Sequence, residues 1–288
     1  MGFANVGALV DAELAGQVNR FSFRKVPAVV TGQGTWYDYS MAPGNPSPQY
    51  YAATPLTAQT LSRSADGGLQ HGGNVSPATK YLRRISMSCV TAGGAVQRMY
   101  LLDYLLFYPF VDMGTPDAQA MVNTQVLTRY TDGEGVQMMA VLVAPHGLVG
   151  DSFFVTYTNQ DGTAGRVTPL HTMSTAIAVN GTILTTQQAG LGRAVFLTLQ
   201  SGDRGVRSIE AVQCTAGTDV GLFTMVLVKP LASISLREIT APVEKDFFLD
   251  EKNLPVIVDD AYLNFITCPM GSLSSAALDG IIETVWKD

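Results

Sequence analysis

The feature that most constrains the fold of this chain is a set of short segments in which apolar and polar residues alternate. Alternation with a period of two is typical of a strand that buries one face, and Val, Thr, Phe and Tyr, which favour strands, are frequent here. Strand-like and helical segments do not alternate along the chain, so a parallel-sheet enzyme fold is not expected. The alternating segments are 85–90, 137–143, 152–158, 194–199, 208–215 and 220–228.

Turn residues between these segments indicate how the strands are joined. Asn159-Gln-Asp-Gly162 and Asn180-Gly181 each stand between two strand-like segments, where such sequences are typical of a hairpin. Short strands separated by turns are typical of a sandwich or a barrel. We therefore expect a mainly β protein, an antiparallel and jelly-roll-like β-sandwich with few short helices. One helix is expected over 115–123 with Thr115 as its N-cap, and the apolar segment 99–107 is expected to be a strand.

The first 80 residues differ in composition from the rest of the chain. Residues 42–55 contain four prolines and residues 64–74 contain four glycines, and both residue types weaken helices and strands. We therefore expect three regions. These are an extended, loop-rich N-terminal arm at 1–80, a β-sandwich core at 81–236, and an acidic C-terminal segment at 237–288 that packs on the core or on a neighbouring subunit.

The predicted arm is rich in aromatic residues, which is not typical of a disordered segment. Such an arm packs either on its own domain or on a neighbouring subunit, and the sequence leaves both alternatives open. Because aromatic residues are enriched at interfaces, five of them are candidate interface residues: Trp36, Tyr37, Tyr39, Tyr50 and Tyr51. If the arm is a separate element, deletion of residues 1–60 should leave a folded β domain that no longer assembles.

Charge is scarce and unevenly distributed along the chain. Only 15% of the 288 residues are charged and the net charge is −6, which argues against a nucleic-acid partner because such proteins carry a basic face. Residues 237–288 contain ten acidic and four basic residues, so the whole net charge lies in this segment. The segment is either a solvated acidic face or a surface complementary to a basic partner. Lys80, Arg83 and Arg84 are expected to form a salt-bridged rim.

No motif for catalysis or for metal or cofactor binding is found in the sequence. The three histidines, His71, His146 and His171, are too far apart for a compact metal pair, and neither G-x-S-x-G nor a nucleotide-binding glycine motif occurs. Asp259 and Asp260 are expected to be a surface acid pair. We therefore assign no catalytic, metal-binding or cofactor-binding residue, and we expect a protein that is not an enzyme.

The cysteines and the apolar runs indicate whether the protein contains disulfide bonds or spans a membrane. Cys89, Cys214 and Cys268 are odd in number and widely spaced, which predicts reduced, buried thiols rather than a disulfide framework. The longest apolar stretch, 99–113, is interrupted by two aspartates and a proline. A membrane span needs about 20 apolar residues, so no membrane partner is expected.

Four strings of the sequence resemble virion proteins of tailed bacteriophages. They lie at 104–113, 129–137, 155–162 and 261–273, and the similarity extends from about residue 36 to the end. Proteins of this group are β-rich cement or decoration proteins of the head shell and are often trimers. The resemblance therefore implies a virion protein, assembled in the host bacterial cytoplasm, that reinforces a capsid by binding the major capsid protein. It carries over no functional residue.

Two other functions remain open at this point. The chain is alternatively a tail, connector or fibre-base protein of the virion, which predicts assembly around an axis rather than across a shell. A third reading is a particle-surface protein that binds or cleaves carbohydrate. Cleavage needs two carboxylates on a groove, and binding needs exposed aromatic side chains.

Overall fold

A computed structural model gives the structure of residue 3 and of residues 5–90, 96–185, 194–251 and 254–287. Among these residues, strands dominate and every pair of named strands is antiparallel. The helical elements of this part of the chain are α1 at Val6–Leu14, α2 at Arg63–Asp66 and a 3₁₀ turn at Tyr39–Met41. The prediction of a mainly β fold with antiparallel sheets and few short helices is confirmed.

A six-stranded central sheet is built around two long strands, β6 at Gln97–Asp112 and β13 at Leu222–Leu236. These two strands pair with each other along nearly their whole length. The predicted strand at 99–107 is therefore confirmed as part of β6. The remaining strands of the sheet are β2 at Tyr37–Asp38, β4 at Gln59–Thr60, β8 at Gln137–Ala144 and β15 at Leu263–Pro269.

Two five-stranded sheets complete the fold. The second sheet has the order β14-β5-β16-β1-β3, and the third has the order β10-β9-β12-β7, with β11 also paired to β9. The strands of the second sheet are β1 at Val18–Lys25, β3 at Gly44–Asn45, β5 at Thr79–Cys89, β14 at Val243–Asp246 and β16 at Leu278–Lys287. Those of the third are β7 at Gln119–Ala120, β9 at Ser152–Asn159, β10 at Arg166–Val167, β11 at His171–Thr172 and β12 at Val206–Cys214.

The two long strands of the central sheet contribute to two hydrophobic cores. One half of each strand packs against the second sheet, and the other half packs against the third. Met99 and Leu101 of β6 pack with residues of the second sheet. Leu105, further along the same strand, packs with residues of the third sheet. Leu102 and Tyr104 alternate with these residues and belong to a third cluster, which includes side chains from the N-terminal 61 residues. The central sheet is therefore covered on both faces.

The N-terminal 80 residues do not form a separate arm. Strand β1 lies inside the second sheet between β3 and β16, and it pairs with β16 along all eight of its residues. Strand β2 pairs with β15, and β4 pairs with β6. The acidic C-terminal segment likewise supplies β14, β15 and β16 to these sheets. The boundaries predicted at residues 80 and 236 therefore do not separate structural units.

Local signals predicted some elements correctly and others wrongly. The hairpin at Asn159–Gly162 is present, and the Asn159 side chain accepts the N–H groups of Asp161 and Thr163. Asn180-Gly181 is a turn, but residues 175–179 before it are not a strand. Residues 194–199 are not a strand either.

The helix predicted over 115–123 is absent. Thr115 donates its hydroxyl to Asp112 instead of capping a helix. Gln119 follows in β7, where its backbone pairs with β12 and its side chain bonds both backbone polar groups of Asp112. Tertiary hydrogen bonds outweigh the weak helical propensity of this segment.

Candidate assembly surfaces

The five predicted interface aromatics do not form one exposed surface. Tyr37, Tyr39 and Tyr51 are buried in the cores of this chain. Trp36 is half-buried and stacks on Tyr100 of β6, with 5.4 Å between the ring centroids. Tyr50 is 57% exposed. The prediction that these residues face a neighbour is therefore corrected for the three buried tyrosines.

Asp38 gives the physical reason for this burial. Its carboxylate accepts the hydroxyls of Tyr51 and Tyr104, each at 2.6 Å, and the N–H and hydroxyl of Ser40, each at 2.8 Å. Burial raises the pKa of Asp38, and these donors act against that rise. Because Tyr104 belongs to β6, the cluster joins the N-terminal segment to the central sheet.

A second polar cluster, around the buried Lys80, contains His71 and Asp259. His71 has Nε2 2.9 Å from the carbonyl oxygen of Ala261 and Nδ1 3.3 Å from Nζ of Lys80. Lys80 also donates to the carbonyl of Gly73 at 2.6 Å and lies 3.4 Å from Asp259. Burial lowers the pKa of His71 to about 4. The cluster holds the segment before β5 against the start of β15.

Other polar side chains are also engaged in structural contacts. Asp260 accepts the N–H and hydroxyl of Ser64, and Ser174 accepts the N–H of Ala176. His171 is buried, and burial lowers its pKa. Among the residues that the structure describes, no three His, Cys, Asp or Glu side chains lie together as a possible metal site. No helix of the described chain is long and apolar enough to cross a membrane.

Five of the ten acidic residues of the C-terminal segment pair with cations from earlier in the chain. Glu283 of β16 lies 3.0 Å from Arg20 and also pairs with Arg84. Asp246 pairs with Arg83. The further pairs are Asp279 with Arg24, Glu244 with Arg84, and Asp259 with Lys80. The predicted ion pairs of Lys80, Arg83 and Arg84 are therefore present, although Lys80 is buried and does not lie on a rim. Folding removes much of the charge separation seen along the sequence.

An open groove of about 600 Å³ lies between the end of β13 and β14. Glu244, Asp250 and Glu251 line it, together with Arg237 and Lys245. Lys245 pairs with Glu251, so one of these carboxylates is neutralised within the groove. Among the described residues that line the groove, none is aromatic, so this part of the lining lacks the stacking surface that carbohydrate binding was expected to need.

Three clusters of exposed apolar side chains stand out on the described surface. On α1, Val6, Val10 and Leu14 recur every four residues and face outward, whereas Leu9 and Ala12 face the protein. This spacing places the three exposed residues on one side of the helix.

The second cluster lies at one end of β6 and β13, in loops 112–117, 145–151 and 215–221, which we call the acidic end. Leu148, Val149 and Val220 are exposed there. These loops contain Asp112, Asp117, Asp151 and Asp219 but no lysine or arginine.

Asp219 fixes the shape of the acidic end. Its carboxylate accepts the N–H groups of Gly147 at 2.6 Å, Val220 at 2.8 Å and Val149 at 3.2 Å. The His146 ring lies between this carboxylate and the carbonyl of Ile177, at 3.2 and 3.1 Å. Burial acts to raise the pKa of Asp219, but these donors outweigh it and hold the pKa below its usual range.

The third cluster lies at the opposite end of the two long strands. It surrounds a pocket of about 320 Å³, which we call the arginine pocket. Val96 and Met270 are exposed on it, and Arg98 and Arg237 are also exposed. The described residues that line it are Val96, Gln97, Arg98, Ser235, Leu236, Arg237 and Met270.

Comparison with known proteins finds only weak structural similarity. No protein-family model matches the chain, and no curated protein matches it. Two solved structures are weakly similar, both of them viral assemblies. The human polyomavirus 6 VP1 pentamer aligns at a TM-score of 0.17 with 9% identity, over 94% of each chain. The infectious bursal disease virus VP2 subviral particle aligns at 0.15 with 6% identity, over 94% of this chain and 81% of that one. Similarity at this level carries no argument about fold or function.

Proposed function

We propose that this chain is a non-enzymatic structural protein of a virion, and that it reinforces a bacteriophage capsid as a cement or decoration protein. In this role it binds across junctions between copies of the major capsid protein. We expect it to act as a homo-oligomer, with a trimer favoured, without nucleic acid, membrane or cofactor as a partner.

The observation that supports this proposal is the presence of three separate clusters of exposed apolar side chains on a chain with few free charges. A shell protein touches several neighbours, and interface cores are depleted in charge and rich in apolar contact. The α1 stripe, the acidic end and the arginine pocket lie on different elements. Ion pairs within the chain consume many of its scarce charges, which favours apolar contact over electrostatic binding to a polyanion.

The choice of a phage head follows from the sequence strings at 104–113, 129–137, 155–162 and 261–273, which resemble virion proteins of tailed phages. A tail, connector or fibre-base position is the main alternative, because it would use the same exposed apolar surfaces. Carbohydrate binding has less support, because no aromatic residue is found in the described lining of the open groove and the tyrosines of the N-terminal segment are mostly buried.

The test is the copy number of this chain in purified particles, measured by quantitative mass spectrometry against the major capsid protein. We expect a ratio near one to one or another fixed large fraction. A few copies per particle would place the chain at the tail or portal vertex instead. Absence from particles would overturn the structural role altogether.

Substitutions on α1 provide a matched test of the surface argument. Val10→Asn together with Leu14→Asn removes two of the three exposed apolar side chains of α1 without touching the buried Leu9 and Ala12. We expect reduced occupancy of the variant in particles. Val126→Asn is the control, because Val126 is 68% exposed and lies outside the three clusters. Equal occupancy of both variants would contradict a role for the stripe.

A further inference from the structure

The two ends of the long strands carry complementary surfaces. Strand β6 runs from Arg98 at the arginine pocket to Asp112 at the acidic end. Strand β13 starts two residues after Val220 of the acidic end and finishes one residue before Arg237 of the pocket. At about 3.3 Å per residue, the two surfaces are roughly 45 Å apart. A single chain therefore cannot bring its own acidic end to its own pocket.

The arginines of the pocket differ from the other arginines of the chain. Among the arginines that the structure describes, Arg98 and Arg237 alone have side chains with no hydrogen-bond or ion-pair partner. The others bond carboxylates, carbonyls or an amide. Both free arginines line the pocket, and no carboxylate is found among its described lining residues. Arg237 also borders the neighbouring groove, where Glu244, Asp250 and Glu251 lie beyond ion-pair distance of its guanidinium. An apolar pocket with an unpaired cationic rim fits an apolar projection surrounded by carboxylates.

The acidic end has that chemistry and is held in shape before any partner arrives. Val149 and Val220 are 56% and 63% exposed. Both are tethered through their backbone N–H groups to Asp219, and Leu148 sits at a positive φ of 61°. Asp117 beside them is exposed, and no partner for its carboxylate is found in the described residues. A rigid projection loses little conformational entropy on docking.

From these observations we infer that the acidic end of one copy docks into the arginine pocket of a second copy. Val149 and Val220 enter the apolar pocket, and the exposed carboxylates of Asp112 and Asp117 face Arg98 and Arg237. The contact uses two different surfaces, so it is heterologous and links copies head to tail into a ring or a chain. The inference rests on the proposed function only in that a shell brings many copies together.

The test mixes two variants of the full-length chain, each lacking one surface. The pocket variant carries Arg98→Glu and Arg237→Glu, and the end variant carries Val149→Asn and Val220→Asn. Sedimentation velocity over a concentration series measures association, and circular dichroism checks that each variant is folded. We expect the unmodified chain to associate and each variant alone to associate about tenfold more weakly or worse.

Mixing distinguishes this contact from any other. In the mixture, the intact acidic end of the pocket variant still fits the intact pocket of the end variant. The mixture should therefore form heterodimers and stop there, since both remaining surfaces are disabled. The controls are Lys287→Glu and Val126→Asn, which change exposed residues elsewhere and should associate like the unmodified chain. Raising the salt concentration should weaken association, because screening acts on the exposed ion pairs.

Three results would overturn the inference. They are an unmodified chain that stays monomeric at all concentrations, variants that associate normally, and a mixture that stays monomeric while the unmodified chain associates. The last of these would indicate a symmetric contact. A high copy number in particles together with any of these results would reject the head-to-tail contact and leave the proposed function standing.

Discussion

Arg129 and Asp103 form a buried ion pair where the two cores of the central sheet meet. Nε and Nη2 of the guanidinium donate to the two carboxylate oxygens at 3.0 and 2.8 Å. Asp103 lies on β6 between Leu101, which belongs to one core, and Leu105, which belongs to the other. Arg129 also donates to the carbonyl oxygens of Leu61 and Tyr104, each at 3.0 Å. The pair thus fixes the N-terminal segment beside β6.

Replacement of Arg129 by alanine should destabilise the protein by about 3–5 kcal/mol, because it leaves a buried carboxylate without its partner. Chemical denaturation measures this loss. Arg204→Ala is the matched control, since Arg204 pairs with Glu134 in an exposed position, and exposed pairs contribute about 1 kcal/mol or less. Equal losses in the two variants would show that the buried pair has no special role.

The cost of Arg129→Ala should also depend on pH. Burial raises the pKa of Asp103 to about 6, although Arg129 opposes the rise. Because this pKa lies above its unfolded value, ionisation of Asp103 lowers stability as the pH rises. Loss of Arg129 raises the pKa further. The loss of stability should therefore be smaller at pH 5, where the carboxyl is largely protonated in both proteins, than at pH 8.

Substitution of the neighbouring residues Tyr50 and Tyr51 distinguishes a structural role from an interface role. Tyr51→Phe removes a donor from the buried carboxylate of Asp38, so we expect a loss of about 1–3 kcal/mol in the free energy of unfolding. Tyr50→Phe changes an exposed ring and should cost less than about 0.5 kcal/mol. Thermal and urea unfolding of the two variants measures both. The reverse order would mean that Asp38 does not depend on Tyr51.

The sequence indicated the β class and most long strands because their signals are local. Alternation of apolar residues marked β5, β8, β9, β12 and β13, and the apolar run at 99–107 marked β6. The partner of β1 could not be found in this way, since β16 lies some 260 residues away. Prolines and glycines in the segment suggested loops, but they say nothing about where the short strands between them pair.

The interface prediction failed for Tyr37, Tyr39 and Tyr51 for a related reason. Aromatic rings fit a protein core as well as an interface, and the composition of residues 36–51 does not distinguish the two. Asp38, between Trp36 and Tyr39, was the missed signal, because a carboxylate among aromatics needs donors and finds them in Tyr51 and Tyr104. Pro145-His-Gly-Leu-Val-Gly150 between β8 and β9 was a second missed signal. Large apolar residues in a glycine-bounded turn are exposed unless something covers them.

His71 predicts a specific dependence of stability on pH. Burial lowers its folded pKa to about 4, against 6.5 for the unfolded chain. Its stabilising contribution is therefore present above pH 6.5 and is lost as the pH falls toward 4. Between pH 7 and pH 5 the loss is about 2 kcal/mol.

The variant His71→Gln tests this dependence, because the amide can still donate to the carbonyl of Ala261 and accept from Lys80 but does not titrate. The unfolding free energies of the two proteins should run parallel above pH 7. Below it, the unmodified protein should lose about 2 kcal/mol more than the variant. Parallel curves down to pH 5 would show that His71 is protonated in the folded protein.

Truncation of the N-terminus tests whether the first residues are an arm or part of the fold. Removal of residues 1–16 takes away α1 and its small apolar cluster but keeps β1. Removal of residues 1–26 also takes away β1, which leaves β16 without one of its two neighbouring strands and removes Phe23 from the core. We expect the shorter truncation to stay folded and the longer one to lose its fixed tertiary structure, as followed by near-ultraviolet circular dichroism and limited proteolysis. Two equally folded truncations would restore the view of a separate arm. The pairing of β1 with β16 along its full length argues for the opposite result, since an unpaired edge of β16 would expose backbone donors and acceptors that the sheet otherwise satisfies.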